Sequence, residues 1–261
     1  MKKLFAVLLL VTTAIFAGCG SSQNASSEVF TIGIDDEYAP LGFRDENGRI
    51  VGFDVDLAKE VARRMSVKFE FKPIDWNDKE RLLTSGEIDI IWNGFDITPA
   101  RENYALFSKP YMENRQIVLV KKGNEHLIRS EGDLVGKRVG TQAGSTSVCI
   151  VEGNPRLKDE FAEFKTYPNY GKALQALTDG EVDALIADEL LSRYTVAKNP
   201  DKFKVVEVII GSSCEIGIGF RKDDVELRDR VQRAFDDMVK DGTAKRISEK
   251  WFGANVIKFR K

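Results

Sequence analysis

Short apolar runs alternate with segments of helical periodicity along most of the chain. Residues 30–34, 88–92 and 182–187 form apolar runs of the length of buried strands, and 68–72 alternates phenylalanine with charged residues as a half-exposed strand does. Helix-period segments lie between these runs. This alternation predicts an α/β protein in which helices flank mostly parallel sheet.

The helical segments carry recognisable start signals. Asp54 can cap a helix whose apolar positions follow at helical spacing, and Thr98 followed by Pro99 indicates the start of another. Further helices are predicted at 78–85, 145–151, 169–178 and 189–198. Near the carboxyl end the sequence predicts a long amphipathic helix and a final helix that ends at Trp251 and Phe252. The long helix carries on one face Leu227, Val231, Ala234, Phe235 and Met238.

An internal repeat relates the two halves of the chain. The seven residues 83–89 recur at 177–183 with five identities, and in both copies a helix ends at glycine before a strand. Two similar lobes are the simplest explanation, although helix-Gly-strand junctions are common enough for a chance match. Ligands of open α/β sheets bind beyond the carboxyl ends of the strands, so segments 93–101 and 188–189 are expected to line one cleft.

The last third of the chain predicts a return to the first lobe. A strand at 216–220 is followed by the two C-terminal helices. We expect the first lobe to comprise 29–115 and 216–261, and the second lobe to comprise 116–215. Two hinge strands, near 116–120 and 215–220, would join them.

The amino terminus has the pattern of an export signal. Lys2 and Lys3 precede an apolar run at 4–16 that is too short to span a bilayer, and Ala17 and Gly18 precede Cys19. The sequence predicts a signal peptide at 1–18 and, at 19–28, a lipid-bearing Cys19 with a polar tether. The alternative is an ordinary signal with a chance cysteine. A lipid-anchored protein on the extracellular face of the membrane, or in the periplasm, is expected.

Charge and chemistry exclude several functions. The formal net charge is −2, which becomes −4 without residues 1–18, and no basic block favours nucleic-acid binding. The only histidine, His126, has no partner at metal-ligand spacing, so neither a metal nor another cofactor is expected. Two cysteines besides Cys19 remain, and in an exported protein Cys149 and Cys214 can form a disulfide or remain two buried thiols.

A set of motifs resembles one family in order and spacing. They are GIDDEYAP at 33–40, VGFDVDLA at 51–58, GEIDIIWNGFDITPAR at 86–101, FSKPY at 107–111, VGTQAGST at 139–146, GEVDALIADE at 180–189 and IGIGFRKD at 216–223. Together they resemble the polar amino-acid solute-binding proteins of ABC importers. The resemblance implies the two-lobed, type II periplasmic-binding-protein fold, amino-acid capture by hinge closure, importer membrane subunits as partners and a monomeric state.

The resemblance also implies a binding site for the ligand's carboxylate. Arg101 matches the arginine that grips the α-carboxylate, for which its two-donor fork is suited. The alternative is a surface arginine paired with Glu102 or Asp96. Ser145 and Thr146, at a predicted helix start, would contact the same carboxylate from the second lobe.

Other matched positions imply sites for the rest of the ligand. Asp188 matches the acceptor for the α-ammonium, although an aspartate there could be only a helix cap. Asn93 and Gly94 precede it along the chain, and Gly94 would offer its carbonyl. Tyr38 and Trp76 match the aromatic pair around the ligand's side chain, for which the alternative is ordinary core packing. Asp35 and Gln142 match positions that meet the ligand's head group.

Asp96 departs from the family, which usually has serine or threonine there. Its carboxylate could bind the α-amino group, cap the next turn or pair with Arg101. If Asp35, Asp96 and Asp188 all face the cleft, three negative charges meet one arginine, which favours lysine, arginine, ornithine or histidine as ligand. The set from Arg101 to Asp188 suffices for plain amino-acid binding and no Ser-His or metal constellation exists, so we expect a binding protein and not an enzyme. The alternative is a cyclohexadienyl or arogenate dehydratase on the same scaffold.

Overall fold

The computed structural model describes residues 28–258. The predicted signal peptide, Cys19 and nearly all of the predicted tether lie outside these residues. The strands are β1 (Val29–Ile34), β2 (Glu37–Tyr38), β3 (Gly42–Arg44), β4 (Ile50–Val51), β5 (Lys68–Pro73), β6 (Ile90–Ile97), β7 (Ala105–Phe107), β8 (Met112–Lys121), β9 (Arg138–Gln142), β10 (Glu163–Tyr167), β11 (Ala184–Asp188) and β12 (Phe203–Arg221). The α-helices are α1 (Phe53–Met65), α2 (Lys79–Thr84), α3 (Pro99–Glu102), α4 (Thr146–Glu152), α5 (Pro155–Glu160), α6 (Tyr170–Asp179), α7 (Glu189–Lys198), α8 (Val225–Lys240) and α9 (Thr243–Phe252).

Within the described residues one sheet runs through both lobes. Its order is β10-β9-β11-β8-β12-β6-β1-β5, with β7 paired to β12. The pairs β1–β5, β1–β6, β9–β10 and β9–β11 are parallel, whereas β8 and β12 pair antiparallel with each other and with their neighbours. The predicted α/β class and two-lobed, type II fold are confirmed. The sheet differs from the predicted, mostly parallel one because β8 and β12, which connect the lobes, pair antiparallel.

The two C-terminal helices pack against the helix nearest the amino end of the described chain. Helix α8 packs on α1, and α9 packs on both. All five apolar positions predicted on one face of α8 are buried. The rings of Phe53 and Phe252 meet edge to face with centroids 5.0 Å apart, which ties the end of α9 to the start of α1. The boundaries of the lobes and the hinge role of β8 and β12 stay predictions.

The internal repeat is a structural one. Gly86 and Gly180 have φ angles of 77° and 79°, the left-handed conformation that lets a helix end tightly. Asp89 donates its N–H to the Thr31 carbonyl at 2.9 Å, and its carboxylate accepts from the Thr31 N–H at 2.6 Å. Asp183 makes the same two bonds with Arg138, at 2.8 and 2.9 Å. Each copy therefore ties the strand that follows it to its parallel neighbour, β6 to β1 and β11 to β9.

Three local predictions need correction. Helix α1 begins at Phe53 after Gly52, so Asp54 lies inside the helix and does not cap it. Strand β6 begins at Ile90 and extends to Ile97, because β12 pairs along its second half. The three short strands β2, β3 and β4 form a small separate sheet that the sequence pattern does not indicate.

The two cysteines follow neither alternative left open by the sequence. Cys149 and Cys214 are both free, so the structure has no disulfide between them. Cys149 is exposed and Cys214 is partly buried, so they are not two buried thiols either. Cys149 lies near the middle of the short helix α4, whose inward side carries Ser147 and Val151 instead.

Candidate functional site

One cavity between the lobes contains the whole predicted site. Its empty space is about 280 Å³, and it is lined by Asp35, Tyr38, Trp76, Asn93, Gly94, Asp96, Arg101, Gln142, Ser145, Thr146 and Asp188. These residues come from the carboxyl ends of β1, β9 and β11, from β6, and from β2, α3, the start of α4 and the segments that connect these elements. Asn93, Gly94 and Asp96 lie within β6, and not beyond its end as expected, because pairing with β12 extends the strand.

Arg101 is a buried cation without an ion-pair partner in residues 28–258. Only 5% of the residue is exposed. Its guanidinium donates to the Asp96 backbone carbonyl at 3.0 Å and to the Gly144 carbonyl at 3.4 Å, and it stacks over Phe95 with 4.7 Å to the ring centroid. None of these partners is a carboxylate. The predicted alternative, a surface arginine paired with Glu102 or Asp96, is therefore wrong.

Asp96 joins the two lobes at the floor of the cavity. Its carboxylate accepts from the Thr146 hydroxyl at 2.6 Å and from the Asn114 amide at 3.1 Å. It neither caps the following turn nor pairs with Arg101, since the cap of α3 is Thr98. Burial, together with the charge of Asp188, raises the pKa of Asp96 to about 6.

Asp188 ends β11 with its carboxylate directed at the cavity. It accepts hydrogen bonds from the amides of Asn114 and Gln116, the latter at 2.8 Å, and from the Tyr170 hydroxyl at 3.4 Å. Its side chain makes no capping bond to α7. Asp188 therefore occupies the N-cap position of α7 without capping it through its side chain, and the carboxylate is held only by neutral donors within the described residues.

Asp35 occupies the opposite end of the cavity. Its carboxylate accepts from Gln142 of the second lobe at 2.6 Å and from the Glu37 N–H at 2.9 Å, and burial raises its pKa to about 6. The Asp35 N–H donates to the side-chain oxygen of Asn93 at 3.0 Å. The amide nitrogen of Asn93 is buried without a hydrogen-bond partner in the described residues.

Aromatic rings form one wall. Tyr38 lies 5.9 Å from the Tyr170 ring across the cleft, and Trp76 meets Phe95 edge to face at 6.0 Å. Both predicted aromatics are buried and also line the cavity, so Trp76 combines the core and site roles. Gly94 has a φ of 59°, and a β-carbon there would lie 2.7 Å from Tyr38, so only glycine fits beside this ring.

Several neighbouring polar residues escape sequence reasoning. Asp54 is fully buried, and it accepts from the Gly94 N–H at 2.7 Å and from the Tyr111 hydroxyl at 2.8 Å. Asn114 bridges Asp96 and Asp188. A charged or amide residue in an apolar segment indicates a buried hydrogen-bonding role of this kind. The sequence does not show which residue will be its hydrogen-bond partner.

Lys79 is the second buried cation near the cavity. Its ammonium group donates to the carbonyls of Trp76 at 3.0 Å and Gly144 at 2.8 Å. In the sequence it stands between Asp78 and Glu80, where it looks like part of a solvated surface. The charge balance predicted from the sequence, with Arg101 as the one cation, therefore leaves out Lys79.

Comparisons with known proteins agree with this fold. The family model of the bacterial extracellular solute-binding proteins, family 3, matches residues 30–254. The L-cystine-binding protein TcyJ of Escherichia coli is 34% identical over 227 residues, which are 87% of this chain and 84% of that protein. The relatives are named as binding proteins, which supports the prediction that the chain is not an enzyme.

Solved structures give the same result. A substrate-binding protein of an ABC uptake transporter from Streptococcus pneumoniae, with bound histidine, has a TM-score of 0.84 and 35% identity over 88% of this chain and 95% of that one. An ancestral arginine-binding protein bound to arginine has a TM-score of 0.81 and 40% identity over 87% of this chain and all of that one. Within residues 28–258 there is no helix of the length and apolarity needed to cross a membrane. The chain belongs to the bacterial extracellular solute-binding proteins of family 3.

Proposed function

We propose that this protein captures a polar, preferably basic L-amino acid between its lobes and delivers it to the membrane subunits of an ABC importer. It acts as an exported monomer, anchored to the membrane by a lipid on Cys19. The observation that carries the proposal is a buried charge pattern. Arg101 and three carboxylates line one cavity without forming an ion pair within residues 28–258.

Unpaired buried charges have a free-energy cost that a zwitterion removes. The α-carboxylate of an amino acid would pair with the Arg101 guanidinium, and its α-ammonium would pair with Asp188 and Asp96 at the cavity floor. The Gly94 carbonyl would be a further acceptor for the ammonium. These groups come from both lobes, so a ligand bound to them favours the closed arrangement.

The other end of the cavity supports a basic head group. Asp35 lies beside Gln142 and the unpaired Asn93 amide, and Tyr38 and Trp76 offer flat faces for an aliphatic stem. Three carboxylates outnumber the two cations, Arg101 and the nearby Lys79, so a cationic ligand leaves less unbalanced charge than a neutral one. Relatives named for arginine and histidine bind such ligands, whereas those named for L-cystine bind a ligand that is neutral overall.

The test is a binding panel measured by thermal shift and titration calorimetry. We expect L-arginine, L-lysine, L-ornithine or L-histidine to raise the melting temperature, since a ligand at 100 times its Kd stabilises the fold by about 2.7 kcal/mol. Arg101→Ala should abolish the shift. Arg156→Ala, which removes an arginine whose side chain is 88% exposed, is the matched control.

The panel also includes L-cystine, neutral amino acids and arogenate. A response only to L-cystine or to a neutral amino acid would keep capture and reject the basic preference. If no amino acid raises the melting temperature, or if the protein converts arogenate, capture is rejected in favour of the dehydratase alternative.

Mass spectrometry of the membrane fraction tests the anchor. A diacylglycerol on Cys19 is expected, and Cys19→Ser should release the protein from the membrane.

A further inference from the structure

Lys79 connects the two lobes at the Arg101 end of the cavity. It is the first residue of α2, in the predicted first lobe, and only 6% of it is exposed. Its ammonium group donates 3.0 Å to the Trp76 carbonyl of its own lobe and 2.8 Å to the Gly144 carbonyl between β9 and α4. The second bond therefore exists only when the lobes are together.

The surroundings of this ammonium group are poor in negative charge. The groups that face it are Arg101 on α3, Cys149 on α4, and Glu80 and Asp75 on its own side. The Trp76 ring lies 5.3 Å away, and neither hydrogen bond goes to a carboxylate. Burial, strengthened by the charge of Arg101, lowers the pKa of Lys79 to about 7.

The two contacts need donors and do not need a positive charge. A neutral amine retains two N–H groups, enough for the two carbonyls. Arg101 donates to the same Gly144 oxygen at 3.4 Å, so loss of the Lys79 proton also removes the repulsion between two cations at one acceptor. Separation of the lobes would return Lys79 to water, where lysine keeps its proton at neutral pH.

We propose that Lys79 clasps the lobes together through the Gly144 carbonyl and releases a proton when the cleft closes, which makes ligand capture stronger as the pH rises above neutrality. The part that concerns capture rests on the proposed function, whereas the clasp itself does not. Lys79 does not line the cavity and is a positioning residue that acts through lobe closure.

Linkage gives the direction and the window of the effect. The closed state holds fewer protons than the open state between the lowered pKa, near 7, and the ordinary lysine value of about 10.4. Raising the pH within this window favours closure by at most about tenfold per unit. Below pH 7 Lys79 stays protonated in both states and contributes no pH dependence.

Titration calorimetry measures the proton directly. L-arginine, with L-histidine and L-cystine in parallel, is titrated into the protein at pH 8 in buffers of different ionisation enthalpy. The protein should release about one proton per ligand more than Lys79→Met does, and the ratio of their affinities should rise about tenfold from pH 7.5 to 8.5. Lys240→Met, at a lysine whose side chain is 75% exposed, should behave as the unaltered protein.

Lys79→Arg distinguishes the contact between the lobes from the release of the proton. Arginine keeps the donors but does not lose its charge in this range, so it should bind ligand without the extra proton release. Melting curves establish that each variant folds. If Lys79→Met does not fold, Lys79→Arg replaces it in the comparison of proton release. Equal proton release by the unaltered protein and either folded variant would overturn the proposal.

Small-angle scattering without any ligand tests the clasp independently of capture. The unaltered protein should become more compact between pH 7 and pH 9, and Lys79→Met should not. An equal change in both would overturn the clasp even if amino acids bind. If no amino acid binds but the compaction depends on Lys79, the proposed function fails and the clasp stands.

Discussion

The Thr146 hydroxyl donates a 2.6 Å hydrogen bond to the Asp96 carboxylate across the cleft between the lobes. Both groups are buried, and the bond supplies one of the donors that keep Asp96 satisfied in the closed arrangement. We therefore expect Thr146 to contribute to affinity through the closed state as well as through its place in the cavity.

Replacement of Thr146 by valine keeps the volume and removes this donor. A hydrogen bond to a buried charged group contributes about 1.5–3 kcal/mol, so we expect roughly 10- to 150-fold weaker amino-acid binding although Asn114 still donates to Asp96. Thr146→Ser keeps the hydroxyl and should retain most of the affinity. Calorimetry on both variants checks this, and equal affinities for the valine and serine variants would contradict it.

Gly94 tests whether the cavity wall can accept a side chain at this position. A β-carbon at this position would lie 2.7 Å from both the Tyr38 and Leu41 side chains, in addition to the strain of a φ of 59°. Gly180→Ala is the matched control, because it has a φ of 79° and no heavy atom within 4 Å of the added carbon among the described residues. We expect about 1 kcal/mol of lost stability for the control and clearly more for Gly94→Ala, with binding lost only in the latter. Urea denaturation and calorimetry measure the two effects.

Affinity for a basic ligand should fall in acid. The pKa values of Asp35 and Asp96 are raised to about 6 by burial, so below that pH both carboxyls are protonated before a cation arrives. The ligand must displace those protons, each of which weakens binding about tenfold over this range, so we expect up to about a hundredfold weaker L-arginine binding at pH 5 than at pH 7. Asp35→Asn should flatten this dependence, and Glu46→Gln, at an exposed carboxylate, should not.

Asp54 should make the fold less stable as the pH rises. Its pKa is raised to about 7 by burial, against about 3.9 in the unfolded chain, so its contribution is complete below pH 4 and is lost as the pH approaches 7. The loss is at most about 4 kcal/mol. Asp54→Asn cannot ionise, so its urea stability should fall less between pH 5 and pH 8. Asp159→Asn, at an exposed position, should follow the unaltered protein.

The sequence identifies the eleven cavity residues through the family resemblance: ten of them lie in motifs that keep their order along the chain, and Trp76 matches a family position outside those motifs. It does not identify Lys79, because burial of that residue depends on a loop 65 positions away that folds over it. Asp54 looks like a helix cap for a similar reason, since its partners Gly94 and Tyr111 are distant in sequence. The strands of the small sheet have two or three residues and are too short to show a period.

Strand β12 has 19 residues and pairs with both lobes, but its register shifts between Val206 and Ile209, between Ile210 and Cys214, and between Gly217 and Gly219. A continuous ladder resists bending, whereas interruptions allow it locally. We therefore expect the lobes to separate by bending at these three places while the paired segments between them keep their hydrogen bonds. The mechanical stiffness of the sheet would then contribute little to the free energy of opening. The strength of ligand retention would be decided by the few contacts across the cleft, each of which a single substitution can remove.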